Sequence, residues 1–115
     1  MKSLIAIMEG IGVPYAYHHF AEGESPDPPF ICFLSPGSNN FIADGTVYFK
    51  KDRINLELYT DRKDPVLESS VEAVLDRNGI CYQKSEVWIE SERLYEVLYT
   101  FEMEGINHAE EKEQG

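Results

Sequence analysis

Between Thr46 and Gly79 an alternating strand runs directly into a capped helix, and this pairing limits the fold more than any other part of the chain. Ile54, Leu56 and Leu58 fall on one side while Asn55, Glu57 and Tyr59 fall on the other, the period of a half-buried strand. The corner Asp61-Arg62-Lys63-Asp64-Pro65 follows, with Asp64 placed to cap a helix and Pro65 to open it, where a missing N–H costs nothing. Leu67, Val71, Val74 and Leu75 then recur on one helical face, and Gly79 ends it. The segment is rich in architecture and poor in catalytic side chains, so a chain built around it is expected to work through its surface.

At 115 residues the chain suits one domain with a real core, expected over 1–104. From Gly105 onward there is too little apolar material to offset the entropy of ordering, and 105–115 is expected to be an acidic, disordered tail. The apolar runs, such as Leu4 to Met8 and Phe30 to Leu34, are far too short to span a bilayer. Glu9 interrupts the first of them before any small-residue cleavage site, so no signal peptide is expected and synthesis is assigned to the cytoplasm. Cys32 and Cys81 both fall in strand-like runs and are expected to be reduced, buried thiols, with a disulfide the lesser alternative.

The 21 acidic residues against 10 basic ones give a net charge of -11, which repels phosphate and disfavours sequence-specific nucleic-acid binding. The charge is uneven. Lys50, Lys51, Arg53, Arg62 and Lys63 face three acids between positions 50 and 63, a local net of +2, whereas 64–104 carries ten acids and three bases. Head-to-tail association of copies would use that contrast; a solvated surface that only aids solubility explains it as well.

Elsewhere, Ser3 to Ile11 reads as a helix with Leu4, Ile5, Met8 and Ile11 as its apolar stripe. Tyr15 to Phe20 reads as a short strand, Ala21 to Pro29 as a polar loop, Phe30 to Leu34 as a strand covered on both faces and Ser35 to Asn40 as a turn-rich loop. Phe41 to Asp44 adds a short extended piece, and Thr46 to Lys51 is expected to pair with Arg53 to Thr60 in a hairpin turning near Asp52. Ile80 to Glu90 and Leu94 to Met103 form a second hairpin around Ser91-Glu92-Arg93, with Tyr95, Val97, Tyr99, Phe101 and Met103 on one face. The order predicts a single α+β domain with a largely antiparallel, mixed sheet and two helices packed on one face.

Chemistry-bearing constellations are sparse. His18 and His19, as neighbours on a strand, would point to opposite faces and could not jointly hold a metal, and His108 offers no third ligand at a recognisable spacing. Neither cysteine carries a nucleophile signature. Glu90 with Glu92, and Asp61 with Asp64, are the carboxylate pairs available for acid/base work, but in so acidic a chain such neighbours arise from composition. Gly10 and Gly12 precede a strand, whereas a dinucleotide loop opens a helix. The aromatics near Tyr95, Tyr99 and Phe101 are interleaved with acids, unlike a single-strand stacking platform. No catalytic residue, cofactor or metal is therefore assigned. Trp88 and Ile89, with Tyr48 and Phe49, are candidates for an apolar patch covered by a partner, and Tyr48, Phe49 and Trp88 join Lys50, Lys51, Arg53, Arg62 and Lys63 in the candidate subunit interface.

Taken together, Gly12-Val13-Pro14-Tyr15-Ala16-Tyr17, Phe41-Ile42-Ala43-Asp44, Leu58 through Pro65 and Trp88-Ile89-Glu90-Ser91 resemble segments of small structural proteins of Gram-positive prophages and long-tailed phages. The likeness covers roughly residues 10–104, and similar proteins of that kind include the tail terminators, or tail-completion proteins, which are favoured over other head-tail connector components although no motif separates the two. The resemblance implies a tail-terminator-like α+β fold and a non-enzymatic role in virion assembly, as a homo-oligomeric ring, expected to be a hexamer. Such a ring caps the tail tube and joins it to the head connector, so the implied partners are copies of itself, the tail-tube protein and the head-connector protein. The location implied is the head-tail junction of the virion. The alternative is a small intracellular acidic binding or inhibitor module that engages a basic protein partner.

Overall fold

The computed structural model of the chain describes residues 4–21, 23–38, 41–43, 46–49 and 51–104, with side chains at 37–38, 41–43, 46–49, 51 and 104 left aside. Along the chain these residues form α1 (Leu4–Ile11), β1 (Tyr15–Tyr17), β2 (Phe30–Ser38), β3 (Phe41–Ala43), β4 (Thr46–Phe49), β5 (Lys51–Thr60), α2 (Pro65–Arg77), β6 (Tyr82–Ile89) and β7 (Leu94–Glu104). Five strands make one sheet in the order β1-β2-β5-β7-β6, and β3 and β4 make a separate two-stranded ribbon. The sheet is mixed, because β1 joins β2 in parallel while β2–β5, β5–β7 and β7–β6 are antiparallel. The domain is α+β, as its alternating strands and two amphipathic helices predict.

Both helices cover one face of the sheet. Leu4, Ile5, Ile7 and Met8 of α1, with Val71, Val74 and Leu75 of α2, meet Ile31, Phe33, Ile54, Leu56, Leu58, Val97, Tyr99, Phe101 and Met103 in one core. The odd-even division read from β5 is the reason: Ile54, Leu56 and Leu58 are fully buried, and their alternates face away. Helix α2 begins as its sequence requires, with the Leu67 N–H donating to Asp64 Oδ1 at 3.1 Å and Pro65 in the first turn. It ends in a Schellman arrangement, where the Ile80 N–H donates to the Leu75 carbonyl and the Gly79 N–H to that of Asp76. Gly79 has φ 68°, which a side chain would strain, and Ile80 is buried beside the helix it terminates.

Three expectations about strands are corrected. Thr46 to Phe49 does not pair with Arg53 to Thr60: β4 pairs with β3, with Ala43 opposite Thr46 and Phe41 opposite Phe49. In sequence Asp44-Gly45, a dipeptide favoured in two-residue hairpin loops, separates the two. Asp52, expected at a turn, lies inside β5 between Ser38 and Met103. Strand β5 takes the central position because the apolar run Ile54, Leu56 and Leu58 on one of its sides is buried best between β2 and β7.

The stretch from Ser35 to Ser38, expected as loop, continues β2 past an irregularity between Leu34 and Gly37. At β1 the strand ends at Tyr17 rather than Phe20, since His18 turns off with φ 70° while its N–H still donates to the Phe33 carbonyl at 2.7 Å. The β6–β7 hairpin has the expected register, with Ile89 opposite Leu94 and Trp88 opposite Tyr95. The proposed tail, 105–115, lies outside the described residues.

Candidate functional site

The face of the sheet opposite the helices is the surface with unspent chemistry. Strand alternation places Phe30, Cys32 and Leu34 of β2, Asn55, Glu57 and Tyr59 of β5, and Glu96, Leu98 and Thr100 of β7 on it. Phe30 stacks on Tyr59 with ring centroids 5.2 Å apart, and Phe20 meets Phe30 edge to face at 5.5 Å. Thr100 Oγ1 donates to Asn55 Oδ1 at 3.3 Å. The result is a half-apolar floor, with Phe30 and Cys32 already largely removed from water.

Two carboxylates stand in that floor. The Tyr59 hydroxyl donates to Glu57 Oε1 at 3.0 Å and lies 3.4 Å from Glu96 Oε1. Partial burial pushes the Glu57 carboxyl above its ordinary range, and the charge of Glu96 adds to that, against the Tyr59 hydrogen bond and the nearby His18. Burial and the same two carboxylates raise the Tyr59 hydroxyl. Cys32 is a free thiol raised to about 11, first by burial and then by Glu57. A thiol so placed is protonated at neutral pH and is a poor nucleophile. The expectation of two buried cysteines holds for Cys32; Cys81 is free and exposed, at the exit of α2 rather than within a strand.

The candidate interface residues are dispersed. Lys50, and the side chains of Tyr48, Phe49 and Lys51, lie outside the described residues, although the backbones of Tyr48 and Phe49 belong to β4 and that of Lys51 opens β5 opposite Glu104. Arg53 is exposed and directly across from Glu102 on β7. Arg62 is exposed at the corner before α2. Lys63 is engaged within its own chain, 2.8 Å from Glu68 Oε2 and in contact with Glu86. Trp88 is 40% exposed, leaning on Tyr95 with centroids 4.8 Å apart while its Nε1–H donates to Glu90. Tyr99 is fully buried and belongs to the core.

The carboxylate pairs visible in the chain order have structural employment: Asp64 caps α2, and Glu90 accepts from Trp88. The pair that does converge, Glu57 with Glu96, is separated by 39 positions and becomes visible only when β5 and β7 are set in register, with Tyr59 opposite Glu96. Its one sequence signal is that both acids sit on the polar side of alternating strands.

The expected divergence of His18 and His19 is also corrected. Because the strand has ended and His18 is left-handed, the two Nδ1 atoms approach to 2.7 Å. Among the described residues no group of three or more His, Cys, Asp or Glu is placed to hold a metal ion. Among the same residues no helix is long and apolar enough to cross a membrane. No protein-family model matches the chain, and no curated protein matches it.

Proposed function

We propose that this chain is a structural, non-enzymatic subunit of the phage head-tail junction, a tail terminator that assembles with copies of itself into a ring on the end of the tail tube. The observation that carries the reading is the β3–β4 ribbon, a two-stranded element outside the main sheet and inserted between its paired strands β2 and β5. An isolated two-stranded ribbon is marginal in water, so an arm of this kind is supported best by a neighbouring subunit. A closed ring needs two different surfaces that meet, and the arm and the uncovered sheet face are such a pair.

The overall charge suits the role. A ring of subunits at -11 each would line a DNA conduit with carboxylates and keep the genome from adhering as it passes. The acidic open face equally suits the second reading, a module that binds a basic protein as a monomer. Light scattering and negative-stain microscopy of the protein alone and mixed with purified tail tubes separate the two. A six-fold ring free or at the tube end supports the terminator reading, and a monomer under both conditions overturns it.

A further inference from the structure

The main sheet ends on two unlike edges. Strand β1 has three residues and stops at the left-handed His18, so it offers little backbone to a partner. Strand β6 has eight residues, pairs with β7 through eight consecutive positions without a register shift, and is exposed from Gln83 to Trp88. Its outer N–H and C=O groups are a template for another strand. Proteins blunt such an edge with charges, and Lys84 and Glu86 would serve that purpose were they isolated. Here each is balanced inside the chain, Lys84 by Glu68 and Glu72 and Glu86 by Lys63, while their side chains keep 37% and 38% of their surface in water.

The sequence of β6 is complementary to itself when reversed. Tyr82-Gln83-Lys84-Ser85-Glu86-Val87-Trp88, laid antiparallel to a second copy about Ser85, sets Lys84 opposite Glu86, Tyr82 opposite Trp88 and Gln83 opposite Val87, each pair on a common face of the sheet. Tyr82, Lys84, Glu86 and Trp88 share the helix side, in register with Phe101, Tyr99, Val97 and Tyr95 of β7. Trp88 is 40% exposed and Tyr82 is half-buried with its ring 5.4 Å from that of Tyr99, so both aromatics have surface left to bury. The same charges exclude the neighbouring two-fold registers. A pairing centred on Lys84 sets two ammonium groups face to face, and one centred on Glu86 does the same with two carboxylates.

We propose that two copies join edge to edge through β6, antiparallel, with Ser85 on the two-fold axis and the sheet continuous across it. Lys84 of each copy meets Glu86 of the other, which extends the ion pairs between α2 and β6 into the second sheet, and each Tyr82 covers the other copy's Trp88. The contact is isologous, one surface used twice. It uses neither the arm nor the open face, and it does not rest on the ring reading above.

Ser85 lies on the open side of the sheet beside Leu98 of β7, away from the α2 ion pairs, so its replacement tests the contact without disturbing them. Sedimentation velocity of the full chain over a concentration series should show a twofold mass step in the parent. S85K and S85E each set like charges face to face on the axis and should raise the dissociation constant of that step about fivefold, while their equimolar mixture pairs opposite charges and should recover the parent value. Emission of Trp88, the one tryptophan of the chain, should shift to the blue with the same concentration dependence. A parent without the twofold step, a step that S85K and S85E leave unchanged, or a loss that their mixture does not restore overturns the edge contact. Rings without the step leave the assembly reading standing, whereas a dimer that forms no rings, alone and with tail tubes, overturns the ring and upholds this contact.

Discussion

Lys84 Nζ lies 2.9 Å from Glu68 Oε1, tying the edge strand β6 to helix α2 on the covered side of the sheet. The same ammonium is 2.7 Å from Glu72 Oε2, which also accepts the Tyr99 hydroxyl at 2.8 Å, and Lys63 holds the other oxygen of Glu68. Glu68 is only 5% exposed, so its charge relies on these partners.

Lys84→Met should therefore lower stability by about 1 kcal/mol, a Tm drop of roughly 5 °C. Burial alone would raise the Glu68 carboxyl, but Lys63 and Lys84 together hold it below the ordinary range, and the Lys84 hydrogen bond lowers Glu72. Carboxyls depressed in the folded state add stability above their unfolded value, about 4.3, and that stability disappears as pH falls through the folded values. Thermal melts between pH 7 and pH 3 should show a steep acid loss in the parent and a shallower one in Lys84→Met; equal slopes would contradict the role given to Lys84.

On the open face the sign is reversed. The Glu57 carboxyl is raised by burial and by Glu96, so its contribution to stability is full below the unfolded value and is lost as pH rises through the folded one. Glu57→Gln keeps an acceptor for Tyr59 and removes the charge. It should raise Tm by about 2 °C at pH 7.5 and by nothing measurable at pH 4. An equal offset at both pH values would place the effect elsewhere than in the charge.

Two substitutions separate local from tertiary stabilisation of the segment from β5 to α2. Asp64→Ala removes the acceptor of the Leu67 N–H and should cost about 1 kcal/mol. Leu56→Ala opens a cavity at a fully buried site and should cost about 2–5 kcal/mol. Urea unfolding measures both, and a cap variant as damaging as the core variant would contradict this division.

Replacing residues 39–50 with a short Gly-rich turn should leave the domain folded with a Tm within about 2 °C of the parent. The last β2–β5 pairs, Gly37 with Arg53 and Ser38 with Asp52, already bring the ends of the deletion together. The shortened chain should no longer form rings. A shortened chain that still forms rings would remove the arm from the interface.

The amphipathic helices, the β6–β7 hairpin and the covered side of β5 were legible in the chain because each rests on near neighbours. The Asp64 cap, the Gly79 stop and the alternation through Leu58 are properties of a few consecutive residues, and the structure keeps all of them. The hairpin expected between Thr46 and Thr60 was misread for the complementary reason. Both strands had suitable composition, and a periodicity of two says which side of a strand is buried but not which strand lies beside it.

The sequence by itself determined that helices would cover one side of a sheet, through the apolar faces of α1 and α2 and the alternation of β5. It also determined an acidic surface with a basic stretch. Only the tertiary structure decided that β5 is central, that β3 and β4 leave the main sheet as an arm, and that Glu57 and Glu96 share the Tyr59 hydroxyl. The physical reason is the range of the interactions: caps and amphipathic faces are settled within a turn or two of chain, whereas strand partnership is settled by burying one long apolar face among contacts dozens of residues apart.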